Sequence, residues 1–291
     1  MTVPAIRIED SSLRLGGRVI WSDLSLSVAR GEFLTVIGPN GAGKTSLLKV
    51  ILGLIPATGR IEVLGDRARR GNRRIGYVPQ LKGLEQDLPI RGRDLVGLGI
   101  EGTRWGFRLR PSAVADQVEQ ALAEVHAQSF ADVPVGELSG GEQQRLRIAQ
   151  ALIGEPELLL CDEALLSIDL HHQREICDVI ARWRERTGGT VVFVTHDVNP
   201  VLATTDRILA VVGGQWAEGT PDDVLKTETM TRLYGSQVDV LRVHGRVIVV
   251  AESFEPIGDH HEHAHEPAPG GMAGHHAHGA DGGGHHEHRQ E

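Results

Sequence analysis

The sequence is short of cysteine, of positive charge and of long apolar runs, and each shortage removes a class of protein. Two cysteines, Cys161 and Cys177, allow at most one disulfide in 291 residues. Lys and Arg number 30 against 39 Asp and Glu, a formal net charge of -9. That balance argues against a binder of duplex DNA that lives on phosphate neutralisation, and nucleic acid is not an expected partner. The apolar runs, such as residues 191–194 and 208–212, are of strand length, far from the ~20 residues that span a bilayer. The opening MTVPAIRIED carries neither a basic nor an apolar leader segment. The chain therefore reads as cytosolic, and if it serves a membrane it docks onto one.

What is present is enough apolar material, 40% of the residues, to bury a substantial core. Composition changes near Phe254: residues 258–291 hold 10 of the 15 histidines, 8 of the 36 glycines and six acids, with almost nothing large and apolar. Such a segment cannot offset its own ordering entropy, so a disordered tail is expected over 251–291, after a folded domain over 1–250. Within that domain, FLTVIG (33–38), ELLLCD (157–162) and TVVFVT (190–195) are short and nearly all apolar, as strands covered on both faces should be. The alternation in AIRIED and LSLSV, residues 5–10 and 24–28, predicts antiparallel strands with one wet face. After Pro111, apolar residues recur at Val114, Val118, Leu122 and Val125, the spacing of a helix.

Three segments carry chemistry. The first is Gly38-Pro39-Asn40-Gly41-Ala42-Gly43-Lys44-Thr45, placed after a strand and before a helical run that starts at Ser46. Strand before and helix after is the context a phosphate-binding loop requires. Its glycines let backbone N–H groups turn around a phosphate, Lys44 supplies charge to the β- and γ-oxygens, and Thr45 offers a hydroxyl to Mg²⁺. The second is the apolar strand ending in Asp162-Glu163. There one carboxylate, Asp162, suits the Mg²⁺ shell, and the next, Glu163, suits a water poised for attack on the γ-phosphate. The third is Leu138-Ser139-Gly140-Gly141-Glu142-Gln143-Gln144-Arg145. Ser139 and Glu142 have the spacing of a capping box, so a helix starts there with N–H groups free to receive an anion.

This third segment, LSGGE, resembles the signature of the ATP-binding cassette (ABC) ATPases, and the resemblance runs over about residues 5–230. It implies an α/β fold: a P-loop, RecA-like, mostly parallel sheet with an antiparallel β subdomain and a helical subdomain over about 88–152, followed here by the disordered His-rich tail. It implies a homodimer that sandwiches ATP and Mg²⁺ between the loop of one chain, Gly38 to Ser46, and Ser139, Gly140, Gly141 and Glu142 of the other. Gln80, in Tyr77-Val-Pro-Gln80, matches the family's glutamine that touches Mg²⁺ and water and couples to the membrane subunit. His196 matches the switch histidine on the γ-phosphate, and Asp169 the interface aspartate loop. Catalysis would rest on Glu163, His196 and Gln80, and Mg²⁺ on Thr45, Gln80 and Asp162. Integral membrane permease subunits and, indirectly, a solute-binding protein are the implied partners, with the chain peripheral on the cytoplasmic face of the membrane.

Two positions depart from the family pattern. Leu15 stands, before Gly16-Gly17-Arg18, where the family places an aromatic ring over adenine, and the aspartate loop reads Glu163-Ala-Leu-Leu-Ser-Ile-Asp169 without its usual proline. Trp21 is near Leu15 in sequence but has no assigned place on the base. Cys161 reads as a small buried filler, and His171 and His172 as exposed helix residues.

Two features lean towards a divalent metal as cargo. The stretch Leu81 to Ile90, ending Asp87-Leu-Pro-Ile90, resembles the zinc and manganese importer branch. The tail offers His260, His261, His263, His265, His275, His276, His278, His285, His286 and His288 among Asp and Glu, donors suited to Zn²⁺ or Ni²⁺. Glu, Ala and Gly interrupt these histidines, unlike a purification tag. The main alternative is an ABC ATPase for a different substrate. A His-rich nickel metallochaperone GTPase would need an N-K-x-D element, and none of Asn40, Asn72 and Asn199 precedes a lysine. A soluble, non-transport ABC ATPase would usually carry two cassettes or long coiled-coil inserts, which this chain lacks.

Overall fold

A computed structural model describes residues 3–80, 89–101, 111–166 and 168–251, all within a unit spanning Met1–Glu252. The histidine-rich stretch, the segment 81–88 and Ser167 lie outside the described residues.

The chain opens with β1 (Ile6–Leu15) and β2 (Arg18–Val28), then β3 (Phe33–Ile37) and α1 (Lys44–Ile51). Next come β4 (Arg60–Val63), β5 (Asp66–Arg67), β6 (Ile75–Val78), α2 (Gly92–Glu101), α3 (Pro111–Glu124) and α4 (Gly140–Leu152). The second half alternates β7 (Leu158–Asp162), α5 (Leu170–Thr187), β8 (Thr190–Val194), β9 (Arg207–Val212) and β10 (Gln215–Gly219). Two short helices, α6 (Pro221–Val224) and α7 (Thr227–Tyr234), lead to a hairpin of β11 (Val238–Val243) and β12 (Arg246–Ala251).

The central sheet has the order β10-β9-β3-β8-β7-β6, parallel from β9 to β6 with β10 antiparallel at one edge. Side chains alternate across a strand, and in this sheet both sides are dry. Leu158 and Leu160 of β7 pack in one cluster with β1, β2 and α1, while Leu159 and Cys161 pack in another with α2 to α5. That double burial is why β3, β7 and β8 read as unbroken apolar runs: every residue in the three is buried. Each fully buried Leu, Ile or Val contributes roughly 1.5–3 kcal/mol by leaving water.

The alternating amino-terminal segments form the antiparallel sheet β2-β1-β4-β5 against one face, with register shifts between Ile8 and Arg14. Against the other face α2 packs on α3 and α4. Pro111 opens α3 as its spacing predicts. One boundary differs from expectation: α1 begins at Lys44 rather than Ser46 and ends at Ile51.

The fold brings the carboxyl ends of β3, β8 and β7 side by side, with β8 in the middle. Loops leaving those ends therefore converge on one crevice, where open α/β sheets place ligands.

Candidate functional site

The loop between β3 and α1 is built around two glycines that no other residue could replace. Gly38 has φ 152°, and a Cβ there would sit 2.1 Å from the Val211 carbonyl oxygen of β9; Gly43 has φ 100° and would drive a Cβ to 2.2 Å from Ile20 Cγ2. The turn therefore lies flat on its neighbours, with the amino end of α1 aimed into it, a geometry suited to an anion.

Lys44 is the first residue of α1 and only 6% exposed. Its Nζ donates to the carbonyl oxygens of Gly38 at 2.8 Å and Pro39 at 3.2 Å and faces Glu163 Oε1 at 3.5 Å. The second oxygen of Glu163 meets His196 Nδ1 at 2.7 Å. Glu163 itself has φ 50°, with its N–H bonded to the Val194 carbonyl. A left-handed conformation costs a non-glycine residue about 1–2 kcal/mol. Here it turns the carboxylate back towards the phosphate loop, and such strain gathers at functional sites.

Asp162, the last residue of β7, is buried. Thr45 Oγ1 donates to its Oδ1 at 3.0 Å, and the Tyr77 hydroxyl, from β6 next door, donates to Oδ2 at 3.3 Å. Burial pushes the Asp162 carboxyl above its ordinary value; the two donors pull the other way and Glu163 adds to the rise. Tyr77 is pushed up to about 12, first by its own burial and then by the Asp162 charge. Hard oxygen donors on a buried carboxylate are what Mg²⁺ takes, so Thr45 and Asp162 fit the ion that the sequence assigns to them.

Gln80, Gly38, Pro39, Asn40, Glu163 and His196 line one cavity of about 500 Å³. The sequence-predicted phosphate, metal and catalytic residues thus come together in one place. The signature turn does not join them. Ser139 caps α4 in a capping box: its hydroxyl accepts from the Glu142 N–H at 3.4 Å, and its own N–H donates to Glu142 Oε2 at 2.9 Å. Ser139 and Gly140 are exposed, and among the described residues Ser139 to Glu142 make no hydrogen bond or ion pair with the phosphate loop.

Asp169 caps α5, its side chain accepting from the N–H groups of His171 and His172, and the hydrogen bond from the His172 ring holds its carboxyl down to about 2. The preceding loop, which lacks the family's proline, is fastened by Gln173, whose Nε2 donates to the carbonyls of Leu165 and Ile168.

Near the base position, Leu15 is 41% exposed at the end of β1, while Trp21 is buried, with Nε1 donating to Ser11 at 3.4 Å. Trp21 is a core residue and cannot stack on a nucleotide. Cys161 is buried as expected, and burial pushes its thiol up. Three contacts went unseen in the sequence: Tyr77 on Asp162, Ile20 behind Gly43, and Asn199, which ties the loop after His196 to Val247.

A family model described as ABC transporter matches residues 21–166. Zinc import ATP-binding protein ZnuC from Pseudomonas savastanoi pv. phaseolicola is 33% identical over 267 residues, 91% of this chain and 89% of the relative. ZnuC from a Pseudomonas fluorescens strain is 34% identical over 269 residues, 91% of each chain, and that from Yersinia enterocolitica 33% identical over 90% of this chain and 92% of its own length. Among solved structures, a metal-chelate type ABC transporter in an inward-facing conformation aligns with a TM-score of 0.74 at 25% identity, covering 87% of this chain and 98% of that one. CbiO1 from Clostridium perfringens, part of the ABC transporter complex CbiONQ, aligns with a TM-score of 0.67 at 22% identity, covering 79% and 94%. With this identity over nine-tenths of its length, and with a phosphate loop, a paired carboxylate and a signature turn in their places, the chain belongs to the ABC transporter family and is one of its ATPases.

Proposed function

We propose that this ATPase energises the uptake of a divalent metal ion, zinc in the first place, through membrane permease subunits. The observation that carries the reading is the convergence of Lys44, Glu163 and His196 on one crevice, in a chain 33–34% identical to zinc import ATP-binding proteins.

Phosphate oxygens entering the loop would replace the Gly38 and Pro39 carbonyls as acceptors for Lys44. Glu163, released from Lys44 on one side and held by His196 on the other, would take the proton from a water attacking the γ-phosphorus in line. The water oxygen bonds to phosphorus, the bond to the β–γ bridging oxygen breaks, and ADP and phosphate leave. Thr45, Asp162 and Gln80 would hold Mg²⁺, which would offset charge on the phosphate oxygens. Leu15 would cover adenine by apolar contact alone.

The N–H groups of Gly140 and Gly141, which the capping box leaves unused, and the exposed Ser139 would receive the γ-phosphate bound by a second copy of the chain, so two copies would close on two ATP molecules and open after hydrolysis. Residues about 88–152, with α2 to α4, and Gln80 would meet the permease, and a solute-binding protein would act one step removed. No described helix is long and apolar enough to cross a membrane, which suits a peripheral subunit on the cytoplasmic face. Residues 1–250 would form the ATPase domain. The ten histidines between 260 and 288 in the segment 251–291 would bind zinc at more than one site, with roughly micromolar affinity.

Reconstitution with its permease in vesicles tests the reading. ATP-dependent uptake of zinc, lost in Glu163→Gln, is the expected result; uptake of manganese with no transport of zinc would move the cargo to the second reading. Truncation after Glu255 should lower the number of zinc ions bound per chain and leave basal hydrolysis intact.

A further inference from the structure

We infer that His171, His172 and Glu175, at the start of α5, form a second metal site, for a first-row divalent transition ion such as zinc, at the corner where the aspartate loop meets the signature turn. Each of the three offers a donor atom, and these atoms all lie within 4.8 Å of one another. Donors in a tetrahedral zinc site with bonds of about 2.0–2.1 Å stand roughly 3.4 Å apart. Closing from the one spacing to the other takes rotations of side chains that face solvent: the His171 side chain is 79% exposed and that of His172 41%.

The lone pairs are in order for a metal. His172 Nδ1 is engaged by Asp169 Oδ2, which leaves Nε2 as the free ligand and makes Asp169 the supporting carboxylate that metal-bound histidines characteristically have. Glu175 gives Oε2 to Arg145, and its Oε1 faces His171 Nδ1 at 3.7 Å across one helical turn. Two imidazole nitrogens and one carboxylate oxygen suit Zn²⁺, with a position left for water. The Arg145 charge behind Glu175 opposes a second cation, so the affinity should be modest, roughly micromolar.

The position gives such an ion something to act on. The His172 ring lies against Gly141 of the signature turn, its Cγ 3.5 Å from where a Cβ on Gly141 would stand. Arg145 of α4 grips Glu175 of α5. An ion on the three side chains would stiffen the corner that presents both Ser139 to Glu142 and Asp169, the parts that receive the second copy of the chain. Metal would then change the rate of ATP hydrolysis. This regulatory consequence rests on the proposed transport function, whereas the site itself stands on its geometry.

Hydrogen exchange on the full chain, with zinc chloride as probe, reads this site separately from the histidines near the carboxyl terminus. At zinc ten times the dissociation constant, amides of residues 170–175 should exchange about tenfold more slowly, and the change His171→Gln, which removes one of the three donors, should abolish that protection. Unaltered exchange over 170–175 in the parent chain overturns the site, whatever the ATPase does. The His171 side chain is 79% exposed and touches neither Asp169 nor Gly141 with its ring, so the variant should fold and keep its basal ATPase rate. Zinc should alter the rate of the assembled parent transporter and not, or much less, that of the variant. Protection together with an equal zinc response in both overturns the regulatory role and leaves the site.

Discussion

Glu163 Oε2 and His196 Nδ1 lie 2.7 Å apart although the two residues leave the ends of different strands, β7 and β8. The other oxygen of Glu163 faces Lys44 Nζ at 3.5 Å. One carboxylate thus joins the loop between β3 and α1 to the loop after β8, and substitutions there should separate binding from chemistry. Glu163→Gln keeps the size and the His196 contact while removing the proton acceptor. ATP should bind, hydrolysis should fall by 10²-fold or more, and size-exclusion chromatography with ATP should show a lasting dimer. Ser139→Arg added to that variant should abolish the dimer, because bulk would stand where the partner's γ-phosphate must sit. Parent-like turnover in Glu163→Gln removes Glu163 from the chemistry.

Lys44→Ala should cost Mg-ATP binding, and its buried position adds a second effect. Lys44 is 6% exposed and is the cation nearest Glu163, so its loss leaves a mostly buried carboxylate paired only with His196. A stability loss of about 1–3 kcal/mol is expected in urea unfolding, together with an equilibrium titration that detects no ATP binding. Unchanged affinity for ATP would show that Lys44 does not face the phosphates.

Much of this candidate site was legible because its parts are local in sequence. The phosphate loop and the capping box at Ser139 each sit within eight residues, and double-faced burial marks β3, β7 and β8 as apolar runs. What escaped was set by pairing across the fold. Tyr77 reaches Asp162 only because β6 lies beside β7, and no pattern around Tyr77 announces that neighbour. Trp21, which the sequence leaves without a place on the base, is turned by strand alternation into the core beside Leu13, its partner in β1.

Glu157 anchors the starts of three strands. It accepts from Arg74, with Nη2 at 2.8 Å from Oε2, and from Arg30 Nη1 at 2.8 Å. The Arg74 hydrogen bonds chiefly, opposed by slight burial and helped by Arg30, hold its carboxyl down to about 2 from the usual 4.5. A folded value below the unfolded one gives stability that is present above the unfolded value and is lost as pH falls towards the folded one. Glu157→Gln should therefore cost about 1 kcal/mol or less at pH 7, since the side chain is 42% exposed and screened. The gap between parent and variant in urea unfolding should close between about pH 4.5 and 2. A gap that stays constant over that range would mean that packing, not charge, is lost.

Asn199 connects the loop of His196 to the last strand of the folded unit. Its Oδ1 accepts from the Val247 N–H at 2.8 Å and its Nδ2 donates to the Val247 carbonyl at 2.9 Å, as one strand would pair with another. The same Nδ2 donates to Asp197 Oδ1 at 2.8 Å, so a single amide fixes β12 to the residue next to His196. Val249 of that strand lines the cavity shared by Glu163 and His196. Asn199→Ala leaves the Val247 N–H and carbonyl without these partners, a cost of about 1–3 kcal/mol in stability. It also frees the loop that orients His196, so kcat should fall by roughly tenfold, about 1.4 kcal/mol of transition-state stabilisation, while the KM for ATP stays near the parent value because Lys44 and the phosphate loop are untouched. Asn199→Asp keeps the acceptor for the Val247 N–H but not the donor, and should lie between the two. A stability loss in Asn199→Ala with kcat unchanged would confine Asn199 to holding the hairpin. A fall in kcat without recovery in Asn199→Asp would place the requirement on the Nδ2 donor, the side-chain group that reaches Asp197 alongside the Asn199 backbone N–H.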